Sequence, residues 1–258
     1  MSTDILVLLP LILLGLAVGS FLNVCIHRVP ARASVVSPGS HCPSCGYALA
    51  WADNIPVVSY AALGGRCRSC RAPISIRYPI VELITMAVFV LHYAVLGADP
   101  ILIPRLLLAC AMIVLFAIDL EHHLLPNLIT LPGIVIGLLF SLLFPPGPIS
   151  ALIGMLIGGG SLWLIGMAYY RYSGQEGMGG GDVKMLAMIG AFLGWKLVLV
   201  TLVFSSIAGA VIGVMVIVLR RGDLKYALPY GTFLSLAGLV ASLYGVRIVS
   251  WYVGLYGP

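Results

Sequence analysis

Charge is what this sequence has least of. Only 9% of its 258 residues are Asp, Glu, Lys or Arg, against about a quarter in ordinary soluble domains. Hydrophobic residues make up 61%. That imbalance excludes a soluble enzyme. Apolar runs of about 17–25 residues, enough to cross about 30 Å of hydrocarbon, recur along the chain. The expected class is an all-α polytopic protein whose first partner is the lipid bilayer.

Other absences narrow the reading. No Lys or Arg precedes the first apolar segment, Ile5 to Val24, so it lacks the basic start of a cleavable signal peptide and is expected to stay as a span. The net charge of +5 does not point to nucleic acid. Six of the 14 basic residues (Arg28, Arg32, Arg66, Arg68, Arg71 and Arg77) lie in one polar insert, which the positive-inside rule places in the cytoplasm. No glycine-rich nucleotide loop follows a strand, so no doubly wound cofactor fold is expected.

Three regions are expected: a first span over 1–24, an insert over 25–79 and a membrane core over 80–258. The insert is rich in Pro, Arg, Ser and Gly and has no helical period. Short strands and turns around a metal suit it best. Seven further spans are expected near 80–97, 101–119, 128–144, 149–170, 183–194, 197–219 and 228–253, about eight in all. Alternating them from the insert leaves eleven Lys and Arg inside and three outside. The short stretch is 183–194, whose 12 residues reach only about 18 Å as a helix. Five Gly-x-x-x-Gly pairs fall in spans (Gly15/Gly19, Gly133/Gly137, Gly154/Gly158, Gly190/Gly194 and Gly209/Gly213), and they are expected to let helix backbones pack closely.

The insert carries Cys42-Pro43-Ser44-Cys45 and Cys67-Arg68-Ser69-Cys70. In a reducing cytoplasm two such pairs favour metal over disulfides. Four thiolates form a closed tetrahedral zinc site that holds structure and leaves no open position for chemistry. His41 is expected at the surface, and Cys25 and Cys110 as small packing residues.

Chemistry is concentrated at Gly177-Met178-Gly179-Gly180-Gly181-Asp182-Val183-Lys184. Glycine lets the backbone adopt positive φ or approach other groups closely. A carboxylate at the rim of a span is costly and is a functional-site candidate. Its counterpart is Asp119, where another span meets the same side. Two carboxylates sharing one proton titrate apart, so one activates a water while the other donates to a carbonyl oxygen. That is peptide hydrolysis without a catalytic metal. Lys184 either tunes the pair or reaches to headgroups. His122 and His123, being adjacent on a helix, point in different directions and do not suggest a metal. Two competing readings are an ion-coupled transporter using the two Asp as a proton relay and a non-catalytic assembly factor. The transporter predicts acids deep in spans and repeated halves, and neither is present.

These residues resemble a known family. Gly179-Gly180-Gly181-Asp182 is similar to the Gly-x-Gly-Asp signature of intramembrane aspartyl proteases, and Gly177-Met178-Gly179 with Asp182-Val183-Lys184 resembles the bacterial type IV prepilin peptidases. Asp119 with Pro126-Asn127 and Thr130 resembles that family's first catalytic motif. So do Gly19-Ser20-Phe21-Leu22-Asn23-Val24 with Arg28-Val29-Pro30, Asn54-Ile55-Pro56-Val57-Val58-Ser59-Tyr60, and the run from Ile74 to Glu82. Met185, where Leu is expected, is a minor departure.

The resemblance implies an endopeptidase of the bacterial inner membrane that removes the basic leader of prepilins and pseudopilins at the cytoplasmic face. It further implies methylation of the new N-terminus with S-adenosylmethionine. Asp119 and Asp182 would be the catalytic acids, with Gly179, Gly181 and Lys184 in the supporting loop and Cys42, Cys45, Cys67 and Cys70 on zinc. Four of the nine acidic residues (Asp119, Glu121, Glu176 and Asp182) fall in the two cytoplasmic segments of the pair. Glu121 and Glu176 are therefore expected to attract the basic leader.

Overall fold

The computed structural model describes residues 2–175, 177–219 and 229–255. Among these every regular element is helical. Two compact units divide the chain, Met1–Gly97 and Ala98–Pro258.

In the first unit α1 (Ser2–Arg28) packs along α3 (Arg77–Leu96). Their contact depends on glycine. A methyl group on Gly15 would lie 2.7 Å from the Met86 Cα, and one on Gly19 would lie 2.7 Å from the Glu82 Cα. Neither backbone could approach so closely around a larger side chain. The insert between them holds a 3₁₀ turn (Trp51–Asn54) and the short helix α2 (Val58–Ala62). The expected strands are absent among the described residues. Each cysteine knuckle closes on one antiparallel bridge, His41 with Ala48 and Arg66 with Pro73, too short to propagate a ladder. The buried Glu82 of α3 pins the insert by accepting the Val57 N–H at 2.7 Å, and Asn23 of α1 ties the helix pair together, its Nδ2 donating to the Tyr78 carbonyl at 3.0 Å.

The second unit contains α4 (Leu102–His122), α5 (Asn127–Ser141), α6 (Pro148–Ser173), α7 (Gly180–Leu219) and α8 (Tyr230–Gly254). Leu108, Met112 and Leu115 of α4, Met185, Met188 and Ile189 of α7 and Leu234 of α8 are fully buried and form its core.

The helix α7 is not one rod. At Gly194 the backbone leaves helical geometry with φ 80° and ψ 175°. A methyl on Gly158 would touch both the Leu186 carbonyl at 2.5 Å and Val198 Cγ2 at 2.9 Å. In a straight helix those two residues would stand about 18 Å apart. The chain therefore turns back at Gly194, giving arms over 180–193 and 195–219. The short stretch noticed in the sequence, 183–194, falls in the first of these arms.

Among the described residues six helices are long and apolar enough to cross a membrane, with α5 a seventh, shorter apolar helix. Counting both arms of α7 gives eight apolar helices. The chain is thus a multi-pass membrane protein of the expected class. The small-residue pairs mostly act in packing. Gly133 lies against Met188, Gly137 against Phe192, Gly154 and Gly158 against the first arm of α7, and Gly194 against Pro146 and Ser150. Gly209 is the exception, since its nearest neighbour beyond its own helix, Phe233, would be 3.7 Å from an added methyl.

Candidate active site and metal centre

Asp119 sits in the last turn of α4, which ends where His123 takes a left-handed conformation (φ 49°) and donates its N–H to the Asp119 carbonyl at 2.9 Å. Asp182 sits in the first turn of α7. Although 63 positions apart in the sequence, both lie in the second unit, and their carboxylates are within electrostatic reach of each other. Asp119 is buried, only 5% exposed, and Asp182 half-buried.

Leu125, in the loop after α4, joins the two acidic segments. A methyl on Gly181 would press on Leu125 Cβ at 2.8 Å, and one on Gly231 would meet Leu125 Cδ1 at 2.9 Å and Asp119 Oδ2 at 2.8 Å. The Thr232 backbone N–H donates to Asp119 Oδ2 at 2.9 Å. A carboxylate held by a backbone N–H from another helix is fixed in direction.

The glycine run works by close approach. Positive φ, the other possibility raised by its composition, is not adopted at Gly179, Gly180 or Gly181. Gly177 lies under the Tyr169 ring, Gly181 under Leu125, and an added methyl on Gly179 would stand 3.2 Å from Asp182 Oδ2. Lys184 reaches neither carboxylate by hydrogen bond: its Nζ donates to Asn127 Oδ1 at 2.8 Å, tying the start of α7 to the start of α5. Glu121 is exposed at the end of α4 with His122 Nε2 at 3.6 Å, and Glu176 lies outside the described residues.

Three contributors carried no weight in the sequence reading: Leu125, Gly231 and Thr232. The signal for the last two was Pro229-Tyr230-Gly231-Thr232, a proline and a glycine opening the final apolar helix.

In the first unit Cys42, Cys45, Cys67 and Cys70 place their sulfurs within 4.8 Å of one another. Sulfurs about 2.3 Å from a shared tetrahedral zinc stand about 3.8 Å apart, and Cys42 Sγ and Cys70 Sγ are 3.8 Å apart. The donor set and its spacing fit zinc. The Cys45 and Ser44 backbone amides pull the Cys42 thiol down to about 6, while Cys70, beside the other sulfurs, is pushed up to about 11. His41 is exposed and bonded to the Gly39 carbonyl, apart from the cluster. Cys25 and Cys110 are half-buried and do not join it.

Two sequence families cover most of the chain. The Bacterial Peptidase A24 N-terminal domain matches residues 13–96, and the Type IV leader peptidase family matches residues 106–214. A protein of Aeromonas salmonicida named prepilin leader peptidase/N-methyltransferase is 38% identical over 93% of this chain and 92% of its own length. A Pseudomonas aeruginosa protein of the same name is 38% identical over 95% and 93%. One from Myxococcus xanthus is 43% identical over 80% of this chain and 62% of its own. No solved structure matches the chain. With two aspartates at one end of the helical unit and this likeness along its length, the chain belongs to the type IV leader peptidase family.

Proposed function

We propose that this protein is an aspartyl endopeptidase of the bacterial inner membrane that removes the basic leader from type IV prepilins and pseudopilins at the cytoplasmic face. The observation that carries this reading is the pairing of Asp119 and Asp182 at the ends of two helices within one unit. One carboxylate takes a proton from water, whose oxygen attacks the scissile carbonyl carbon. The other, protonated, donates to the carbonyl oxygen; the tetrahedral intermediate then collapses, the C–N bond breaks and the departing amine takes the proton that the first carboxylate removed from water. No metal is needed at this centre. Zinc on the four cysteines would hold the insert folded.

The cytoplasmic placement rests on charge: eleven Lys and Arg fall on the insert's side of the membrane and three on the other. On that side the exposed Glu121, with Glu176, attracts the basic leader. The relatives' names include an N-methyltransferase, and the family resemblance makes that step methylation of the new N-terminus with S-adenosylmethionine as donor. Among the described residues every regular element is helical.

The test is a prepilin cleavage assay with Asp119→Asn and Asp182→Asn, read by product mass with and without S-adenosylmethionine. Each variant should lose cleavage, while wild type releases the leader and gains one methyl only with the donor present. Cleavage surviving in either variant refutes the pair. In the same assay Glu121→Gln with Glu176→Gln should raise KM and flatten its dependence on salt. Unchanged values on both counts remove the leader-steering role.

A further inference from the structure

The leader peptidase match ends at residue 214, and α8 lies beyond it. Yet α8 supplies one wall of the candidate site, from 113 residues away in the sequence. Resting on the proposed dyad, we infer that Gly231 and Thr232, in the first turn of α8, are positioning residues for the Asp119 carboxylate.

Two independent features carry this. Thr232 donates its backbone N–H to Asp119 Oδ2 at 2.9 Å, one of the first-turn amides that a helix leaves without an i−4 partner. The same amide lies 3.2 Å from the Pro229 carbonyl, and the Thr232 hydroxyl donates to that carbonyl at 2.7 Å, which holds the turn in shape. The second feature is space. A methyl on Gly231 would stand 2.8 Å from Asp119 Oδ2 and 2.9 Å from both Leu125 methyls. The carboxylate occupies the volume that any side chain at 231 would take. Leu125 also lies against Gly181, so displacing it disturbs the segment that carries Asp182.

Among the described residues, the titratable groups around Asp119 are Asp182 from α7 and His123 from the end of α4. His122 and Glu121 pair at the surface, and Lys184 is turned to Asn127. From α8 itself comes Tyr230, whose hydroxyl lies 3.0 Å from Ser205 Oγ and 3.3 Å from Ser206 Oγ. The Thr232 N–H bonds the ionised form of Asp119, so removing it makes the pair as a whole take up its second proton more readily, whichever of the two acids is the base. The water then loses its proton acceptor at a higher pH than in wild type.

The experiment compares Gly231→Ala, Thr232→Pro, Thr232→Val and Gly238→Ala in the full-length protein, using prepilin cleavage and thermal unfolding in detergent. Gly231→Ala should lower kcat about a hundredfold, the scale of a misplaced catalytic group, with KM unchanged. Thr232→Pro removes the N–H at a first-turn position where proline is tolerated, and should move the acid limb of the pH–rate profile up by about one unit. Thr232→Val keeps the N–H and should leave that limb in place. Gly238→Ala burdens the same helix against Ile189 and Met112, each 3.2 Å from the added methyl. It should lower the unfolding temperature without moving kcat or the limb. If Gly231→Ala loses activity only in step with Gly238→Ala and its unfolding temperature, the positioning role is overturned. An unmoved acid limb in folded Thr232→Pro overturns it equally, and if that variant does not fold, the glycine pair alone decides. The dyad itself fails if Asp119→Asn or Asp182→Asn still cleaves.

Discussion

Gly154 and Gly190 meet backbone to backbone where α6 crosses the first arm of α7. A methyl on Gly154 would lie 2.5 Å from the Gly190 carbonyl oxygen, and one on Gly190 would run into the Gly154 carbonyl. In lipid, where helices gain little from apolar burial against each other, such close backbone contact is a main source of association. This crossing sets the direction of the arm that carries Asp182. Gly154→Ala and Gly190→Ala should each cost about 1–3 kcal/mol of stability, read as an unfolding temperature about 2–10 °C lower in detergent. Gly209→Ala is the comparator, because its methyl would find nothing closer than 3.7 Å. Equal damage at all three positions would mean that the loss reflects glycine replacement in general.

Lys184 and Asn127 predict a kinetic effect. Their 2.8 Å hydrogen bond joins the first turns of α7 and α5 beside Asp182, 57 residues apart in the chain. Losing it loosens the placement of Asp182 without touching its chemistry. Lys184→Met and Asn127→Ala should each lower kcat about tenfold or more, given the sensitivity of catalysis to small displacements. The double variant should be no worse than the more severe single one, as expected for two partners in one interaction. Additive losses in the double-mutant cycle would show that the two residues act separately.

Acid should loosen the insert through Asp53 and Arg68. Arg68, between Cys67 and Cys70, donates from Nε to Asp53 Oδ1 at 2.8 Å. The Arg68 guanidinium holds the Asp53 carboxyl below its ordinary range, helped by the Ala50 amide. A depressed folded-state pKa means that this stabilisation is full above the unfolded carboxylate value, about 3.9, and is lost as pH falls below it. Asp53→Asn should therefore lower zinc retention at neutrality and move its acid loss, which protonation of the four thiolates drives in both proteins, to higher pH. Elemental analysis after gel filtration at each pH measures both. Wild type should carry one zinc per chain, and Cys67→Ser none.

What could be read in the sequence differs from what could not in one physical respect, the range of the interaction. The apolar runs, the break at Gly194 and the two cysteine knuckles are local patterns, and the helices and the sulfur cluster follow them. The rim position of both aspartates also follows from span ends. Their neighbours do not. Thr232 reaches Asp119 only because α4 and α8 pack side by side, with Gly238 against Met112 as well as Gly231 against Asp119. The Lys184 partner likewise depends on where α5 begins relative to α7. The glycine run was ambiguous for another reason: composition alone does not distinguish positive φ from close approach, and the rings and methyls above it decide. In the insert, a turn-rich composition with paired cysteines suggested strands, but each knuckle needs only one bridged pair.

Gly194 offers the sharpest test of the reversal in α7. Its φ of 80° with ψ of 175° lies in a region that is essentially open to glycine alone. Space is also short: an added methyl would stand 2.6 Å from Ser150 Oγ and 2.7 Å from Pro146 Cβ. Gly174 is a useful contrast, since it too has positive φ, at 69°, but nothing within 4 Å of an added methyl. Gly174→Ala should incur only the left-handed backbone strain, about 1–2 kcal/mol. Gly194→Ala adds overpacking to backbone strain, for about 2–6 kcal/mol together, enough to splay the two arms or unfold the unit. The expected result is a small drop in unfolding temperature for Gly174→Ala, and for Gly194→Ala a large one with loss of cleavage, because the arm that carries Asp182 ends at this turn. Equal effects of the two substitutions would show that the turn at Gly194 tolerates an L-residue and that its tight packing does not hold the arms together.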